Sequence, residues 1–378
     1  MKFLYIINCS SFFRSHFFHL ALSLRKNGHD VTIAAGNDDQ KKFFESFGMK
    51  FYLLPMTRSG KGIIGEIKAI ISLKHLLFTC NADCVHMLTI KPVLYGGIVN
   101  RVFVNKRPKK VIFSITGLGS SSMSQDISGR LLWKCIKIVY KFVLQCGNSL
   151  TVFENDDDRN FFSESINVLK YTSRIVNGAG VDISEFSPSN DKNEKMTVIL
   201  VARLLKDKGI REYIEAGRIL KESNEDVELQ LIGKTDLANP SSMTDDEIEL
   251  AHNNRYILYK GYRKDIANCY QEAHIACLPS YREGLPKSLI EAISCGLPIV
   301  TTDVPGCRQM VHGGSTGLLV PEKDAISLAK AIKRLLDDRD TRESMGRKSR
   351  DLAISRYSKE KIAESFFEIY GLMDGSEQ

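Results

Sequence analysis

Two short stretches in the C-terminal half carry residue types suited to chemistry on a charged substrate. The first is Val201-Ala-Arg-Leu-Leu-Lys-Asp-Lys-Gly-Ile210. An apolar, strand-like run passes directly into Arg203 and Lys208, and Gly209 marks the turn before a helical segment. Arginine offers a planar fork for two phosphate oxygens and lysine a movable point charge. A leaving diphosphate needs both, because about two negative charges must be stabilised as the bond to it breaks. Taken alone, the same loop also reads as a solvated surface turn. The second stretch is Pro279-Ser-Tyr-Arg-Glu-Gly-Leu-Pro-Lys-Ser-Leu-Ile-Glu-Ala-Ile-Ser-Cys-Gly-Leu-Pro298. Glu283 falls in a loop after a strand, Gly284 permits close backbone approach, and Pro286 suits a first helical turn. Glu291 follows two turns on, so at ~5.4 Å per turn the carboxylates lie roughly 10 Å apart. Two carboxylates at that spacing can grip hydroxyls at opposite ends of an elongated ligand, with a helix N-terminus between them for a phosphate. A nucleoside diphosphate sugar has that polarity. Leu289, Ile290, Ala292 and Ile293 surround Glu291, so this acid is expected to be buried and partnered rather than an exposed helix charge.

The elements that would position these residues alternate regularly. Phe3–Ile7, Val31–Ala35, Phe51–Leu54, Cys84–Met87, Val111–Ile115 and Ser149–Phe153 read as strands, separated by helical segments such as Ser15–Asn27 and Arg130–Cys146. The polar stretch Ser187–Glu194 reads as a linker. A second series follows, with strands at Thr197–Val201, Val227–Ile232, Tyr256–Tyr259, Ile275–Leu278, Pro298–Thr301 and Gly317–Val320, and a last charged helix near Lys359–Met373. Strands alternating with helices imply βαβ units. The fold class is therefore α/β: two Rossmann-like doubly wound domains, at 1–187 and 195–357, with a C-terminal helical segment at 358–378. Ligands are expected at the carboxyl ends of the strands, in a cleft between the domains.

Charge divides unevenly. Residues 1–180 hold 24 Lys and Arg against 12 Asp and Glu, and residues 181–378 hold 28 against 33, within a net charge of +7. The basic half is thus expected to meet something anionic. Basic residues gather at Lys106, Arg107, Lys109 and Lys110, and again from Arg130 to Lys141 beside Trp133, the only tryptophan. Lys134, Lys137 and Lys141 recur at helical spacing, with Leu132, Ile136, Val139 and Val143 on another face. That pattern fits an interfacial helix on an anionic membrane, and equally a surface helix packed on a sheet. No helix-turn-helix, RNP motif or zinc finger is visible, so no nucleic-acid partner is expected. No apolar stretch is long enough to span a bilayer and no cleavage site follows the first strand. Nine scattered cysteines without a CxxC pair read as reduced, mostly buried thiols of a cytoplasmic protein.

Glu283 and Glu291, within Glu-Gly-Leu-Pro…Glu-Ala…Cys-Gly-Leu-Pro-Ile-Val, resemble the signature of retaining glycosyltransferase family 4. Arg203-Leu…Lys-Gly209, Thr302-Asp-Val-Pro-Gly306 and Gly317-Leu-Leu-Val320 occur in that family's order. The resemblance implies a GT-B fold and a UDP-sugar donor with no metal cofactor. It implies that Glu283 contacts donor-sugar hydroxyls, Glu291 the ribose, and Arg203 and Lys208 the diphosphate, with Gly284, Leu285, Gly233 and Tyr262 completing the donor site. Gln309 stands where the family commonly has Glu.

The first domain, through Asn8-Cys-Ser-Ser-Phe-Phe-Arg-Ser-His16, Val85-His-Met-Leu-Thr-Ile-Lys-Pro92 and Ile115-Thr-Gly-Leu-Gly119, resembles bacterial enzymes that build surface polysaccharides. That implies transfer of an N-acetylhexosamine onto a polyprenyl-diphosphate-linked saccharide, on the inner face of the cell membrane. Thr116 occupies a position where many relatives place a histidine. His16, Thr116 and Gly117, with Gly119, are the residues expected to face the acceptor or a phosphate. Asp156-Asp-Asp158 resembles a metal-binding Asp-x-Asp but reads better as the start of a helix. Gly178-Ala-Gly180 is a hinge candidate. A UDP-sugar 2-epimerase and a non-catalytic scaffold share the fold class and remain alternatives.

Overall fold

The structure, a computed structural model, describes residues 1–56, 62–103, 108–117, 127–166, 172–236 and 239–372. Lys106, Arg107, Gly119 and the stretch beyond Leu372 lie outside the described residues. The chain divides into two compact units, Met1–Ala179 with Ile362–Gln378, and Gly180–Lys361.

Unit 1 runs β1 (Lys2–Ile7), α1 (Ser10–His16), α2 (Phe18–Lys26), β2 (Asp30–Ala35), α3 (Lys41–Ser46), β3 (Lys50–Leu53), α4 (Ile63–Thr79), β4 (Cys84–Leu88), α5 (Ile90–Val102), β5 (Lys110–Ile115), α6 (Ile127–Leu144), β6 (Ser149–Phe153), α7 (Asp156–Ile166) and β7 (Ser173–Ile175). Its strands form one parallel sheet in the order β3-β2-β1-β4-β5-β6-β7. The central strands are apolar on both faces, as a sheet covered on both sides requires. Leu4, Ile6, Val85, Met87 and Phe113 pack under α4 to α7, while Phe3, Tyr5, Ile7 and Ile33 pack under α1 to α3.

Unit 2 runs β8 (Met196–Val201), α8 (Ile210–Glu222), β9 (Val227–Ile232), α9 (Asp245–Asn253), β10 (Leu258–Tyr259), α10 (Ile266–Glu272), β11 (Ile275–Leu278), α11 (Lys287–Ser294), β12 (Ile299–Thr302), α12 (Arg308–Val311), β13 (Gly317–Val320), α13 (Ala325–Asp337) and α14 (Arg339–Leu352). Its parallel sheet has the order β10-β9-β8-β11-β12-β13. Each sheet therefore reverses direction once, beside β1 and β4 in unit 1 and beside β8 and β11 in unit 2. Such reversals open the crevices in which doubly wound sheets take ligands.

The last helix, α15 (Lys359–Tyr370), buries Ile362, Phe366 and Tyr370 in the core of unit 1. The Tyr370 hydroxyl lies 3.0 Å from that of Tyr5 and 2.8 Å from His86 Nδ1, and His86 Nε2 lies 2.7 Å from Ser114 Oγ. Burial pushes the His86 imidazole down to about 3, so this chain is held by neutral hydrogen bonds.

Three expectations change. The segment Ser15–Asn27 is not one helix: α1 and α2 meet at Phe17 (φ −125°, ψ −4°), where the break lets both Phe13 and Phe17 enter the core. His16 consequently ends a short helix instead of starting one. On α6, Val143 is buried and Ile136 and Val139 pack against the core, but Leu132 is exposed together with Leu131, Ile138 and Phe142. Helix α14 went unrecognised because it buries only Gly346, Ser349 and Leu352, which leaves no apolar stripe to read.

Candidate functional site

Both stretches singled out by residue type lie at the carboxyl edge of the unit 2 sheet, after the two strands that flank its reversal. Beyond β8 the chain carries Arg203, makes a 3-10 turn over Lys206–Lys208, and enters α8 through Gly209. Beyond β11 it carries Tyr281 to Leu285 and enters α11 after Pro286, which is the N-cap residue and not part of the first turn. The loops are laced together by the main chain. The Asp207 carbonyl accepts from Tyr281 N–H at 2.9 Å and from Ser280 Oγ at 3.1 Å. On the other side, Lys206 N–H donates to the Ser241 carbonyl at 2.7 Å and Leu204 N–H to the Lys234 carbonyl at 3.0 Å.

This lacing sets the charged groups. Lys208 Nζ donates a hydrogen bond to Glu283 Oε1, the two side chains being 19% and 13% exposed. Arg203 reaches Asp236 Oδ2 at 3.1 Å from a half-exposed position. Each expected diphosphate cation thus holds a carboxylate. Glu283 is set by its own backbone: its N–H donates to the Pro305 carbonyl at 3.1 Å. A Cβ on Gly306 would come within 2.5 Å of the Glu283 and Gly284 carbonyls, so the Pro-Gly pair of the next loop presses directly on the site. Gln309 Oε1 accepts from Gly306 N–H at 2.8 Å. An amide therefore provides a contact at this departure from the family pattern.

Glu291 lies in the second turn of α11, mostly buried, with Lys287 Nζ 3.2 Å from its Oε1. Burial raises its pKa above the usual carboxylate range, against the opposing pull of Lys287. Gly284 and Leu285 are buried at the start of the same segment. Gly233 follows β9; its N–H donates to the Gly261 carbonyl at 3.0 Å and its carbonyl accepts from Tyr259 Oη at 3.2 Å. Tyr262 is exposed, with Lys234 Nζ 5.5 Å from its ring centre. Beneath the Lys208–Glu283 pair, burial pushes the Cys307 thiol up to about 12, which keeps it neutral.

Sequence reasoning missed Asp236, Asp207 and the brace in which Tyr281 Oη donates to Glu212 Oε1 at 2.7 Å. An acid three residues past Gly233, at a strand's carboxyl edge, was the available signal for Asp236.

The residues assigned to unit 1 are more scattered. Thr116 and Gly117 follow β5, and among the described residues, chain neighbours aside, nothing lies within 4 Å of the position a Gly117 Cβ would take. His16 stacks on Phe12 at 3.9 Å, with Nδ1 2.6 Å from Ser15 Oγ. Asp156–Asp158 form the first turn of α7, and Asn155 caps it, its Oδ1 accepting from Asp158 N–H at 2.7 Å. Among the described residues, no group of three or more His, Cys, Asp or Glu could hold a metal ion.

Two parallel sheets built of βαβ units, with paired cations and carboxylates at one reversal, define a GT-B glycosyltransferase. Residues 182–352 match the model for glycosyl transferases group 1, and residues 2–146 match that for glycosyl transferase 4-like proteins. The chain belongs to this glycosyltransferase family. It is 25% identical over 92% of both chains to the N,N'-diacetylbacillosaminyl-diphospho-undecaprenol alpha-1,3-N-acetylgalactosaminyltransferase of Campylobacter jejuni. It is 26% identical to the UDP-Gal:alpha-D-GlcNAc-diphosphoundecaprenol alpha-1,3-galactosyltransferase of Escherichia coli, covering 77% of this chain and 76% of that one. Among solved structures, sucrose-phosphate synthase of Thermosynechococcus elongatus superposes with a TM-score of 0.81 at 18% identity, covering 98% of this chain and 99% of that one.

Proposed function

We propose that this glycosyltransferase moves an N-acetylhexosamine from its UDP form, with retention of configuration, onto a polyprenyl-diphosphate-linked saccharide during surface polysaccharide synthesis. The placement of Arg203 and Lys208 after β8, and of Glu283 and Glu291 after β11, the two strands that flank the reversal, supports this reading. Glu283 would accept hydrogen bonds from donor-sugar hydroxyls and Glu291 from the ribose. Arg203 and Lys208 would stabilise the diphosphate as its bond to the sugar breaks and the acceptor oxygen bonds to the same carbon. Gly284, Leu285, Gly233 and Tyr262 would line the donor, and no metal is required because the cations supply the positive charge. The names of the Campylobacter and Escherichia relatives, both transferases toward diphospho-undecaprenol-linked acceptors, support the acceptor class.

Unit 1 would present the acceptor, with His16, Thr116 and Gly117 toward it, and dock on the anionic inner face of the cell membrane. Exposed Leu131, Leu132, Ile138 and Phe142 beside Lys134 and Lys141 on α6 support that docking. The test is a panel of nucleotide sugars with a short polyprenyl-diphosphate sugar, read by mass spectrometry. One donor should yield an acceptor heavier by one sugar in the wild type and none in Glu283→Ala or Arg203→Ala. Near-native transfer in either variant would remove the site assignment, and conversion of donor without acceptor would mark an isomerase instead.

A further inference from the structure

Arg203 meets an acid to which the donor reading gives no task. Its Nη1 lies 3.1 Å from Asp236 Oδ2, and the two side chains are 46% and 32% exposed. An ion pair that open adds little to folding stability, because water screens it and both side chains lose freedom to form it. Nor is the carboxylate needed to fasten the loops. The loop after β9 is tied to the Arg203 loop by main chain alone: Leu204 N–H donates to the Lys234 carbonyl at 3.0 Å, Lys206 N–H to the Ser241 carbonyl at 2.7 Å, and Met243 N–H to the Leu204 carbonyl at 2.8 Å.

Asp236 is itself set firmly. Its N–H donates to Ser242 Oγ at 3.0 Å, and its carbonyl accepts from Asn239 N–H at 2.7 Å. A carboxylate on a fixed backbone thus holds the end of a long side chain that would otherwise sample many rotamers. The contact engages Nη1 and not both ends of the fork. A guanidinium carries five N–H donors in one plane, so a second edge remains for phosphate oxygens. The sheet order β10-β9-β8-β11 puts Asp236 and Glu283 after strands on opposite sides of β8, so the two cations of the β8 loop are held from opposite sides. A negative charge beside an incoming diphosphate opposes its binding. What Asp236 contributes must therefore come later, when orientation counts, as the bond from the sugar to the diphosphate breaks.

We propose that Asp236 is a positioning residue for transfer: it holds Arg203 Nη1 so that the other edge of the guanidinium meets the leaving diphosphate in one orientation. The proposal rests on the diphosphate role assigned above to Arg203. The test is steady-state transfer by the full chain, with the donor that the nucleotide-sugar panel selects and a short polyprenyl-diphosphate sugar, beside calorimetric titration with UDP. Asp236→Ala should lower kcat roughly tenfold, the scale of a hydrogen bond to a charged group. Its donor KM and UDP dissociation constant should stay equal to the wild-type values or fall, since a repelling charge is gone. Asp236→Asn keeps an acceptor oxygen at the same reach and should retain kcat within about threefold. Arg203→Lys keeps the charge without the planar fork; in that background Asp236→Ala should lower kcat by less than about twofold, because the two changes remove the same contact. A merely structural Asp236 would instead cost the same factor in both backgrounds and lower the melting temperature. Wild-type kcat in Asp236→Ala, an equal loss in the Arg203→Lys background, or weakened UDP binding with kcat intact overturns the proposal. Full activity of Asp236→Ala beside an inactive Arg203→Ala removes this proposal alone, whereas a wild type that neither binds UDP nor transfers removes the donor reading and this proposal with it.

Discussion

Lys208 and Glu283, 75 positions apart in the chain, share a hydrogen-bonded ion pair at the carboxyl edge of the unit 2 sheet. The pair is mostly buried, so its members are unequal in what their loss does. Lys208→Met leaves a largely buried carboxylate without its counter-charge, a change expected to cost about 1–3 kcal/mol of stability. Glu283→Gln keeps an oxygen acceptor for Lys208 and is expected to cost less than about 1 kcal/mol. Both should lower transfer by roughly a hundredfold or more, as loss of a transition-state contact does. Denaturant unfolding beside turnover measures both; equal destabilisation would refute this account of the pair.

Gly209 joins the Lys208 turn to α8 at φ +71°, and a Cβ there would lie 2.0 Å from the Pro279 carbonyl oxygen. That distance is far inside van der Waals contact with a backbone atom. Gly209→Ala is therefore expected to cost about 2–4 kcal/mol, strain and overlap together, and to separate Lys208 from Glu283. Its UDP affinity should fall further than that of Gly147→Ala, where no described residue beyond the chain neighbours lies within 4 Å. Matching unfolding midpoints for the two variants would contradict the packing described.

Glu291 gives the fold a pH dependence of definite sign. Burial raises its folded pKa above the unfolded value near 4.5, so the folded state holds the proton more tightly. Stability from this group is therefore highest below that value and falls as pH rises through the folded pKa. Glu291→Gln removes the slope, and its melting temperature should exceed that of the wild type at pH 8 but not at pH 4. Donor KM should rise in the same variant. A wild-type curve parallel to the variant's from pH 4 to 8 would show that the carboxylate is not held as described.

Helix α6 presents cations and large apolar side chains on its exposed surface. Changing Lys134, Lys137 and Lys141 together to Glu should release the protein from anionic vesicles, with membrane attraction worth about 1 kcal/mol per basic residue. Cosedimentation with phosphatidylglycerol vesicles measures it. Unchanged sedimentation would leave α6 as a plain covering helix.

Much of this was legible in the residues. Parallel strands buried on both faces are continuous apolar runs, and several, such as Val227–Ile232 and Ile275–Leu278, begin and end where the sequence predicts. The helix at Ile210–Glu222 starts where the sequence predicts, directly after the turn that Gly209 marks. The short glutamate spacing and the basic loop pointed to the site because function there demands residue types that packing alone would not select.

Partnership is another matter. Composition and period determined that Arg203, Lys208, Glu283 and Glu291 stand just past strands or on the helix after one; they could not say which would meet. Asp236 and Gly306 come from loops after two further strands, and Tyr370 reaches Tyr5 from the far end of the chain. Such contacts depend on sheet order, which no local pattern encodes, because a parallel strand's neighbour is chosen by how helices cover both faces at once. The sequence by itself determined the elements and the chemical types at their ends. Only the tertiary structure decided that β8 and β11 lie side by side, and so that a lysine and a glutamate share a proton-donating contact.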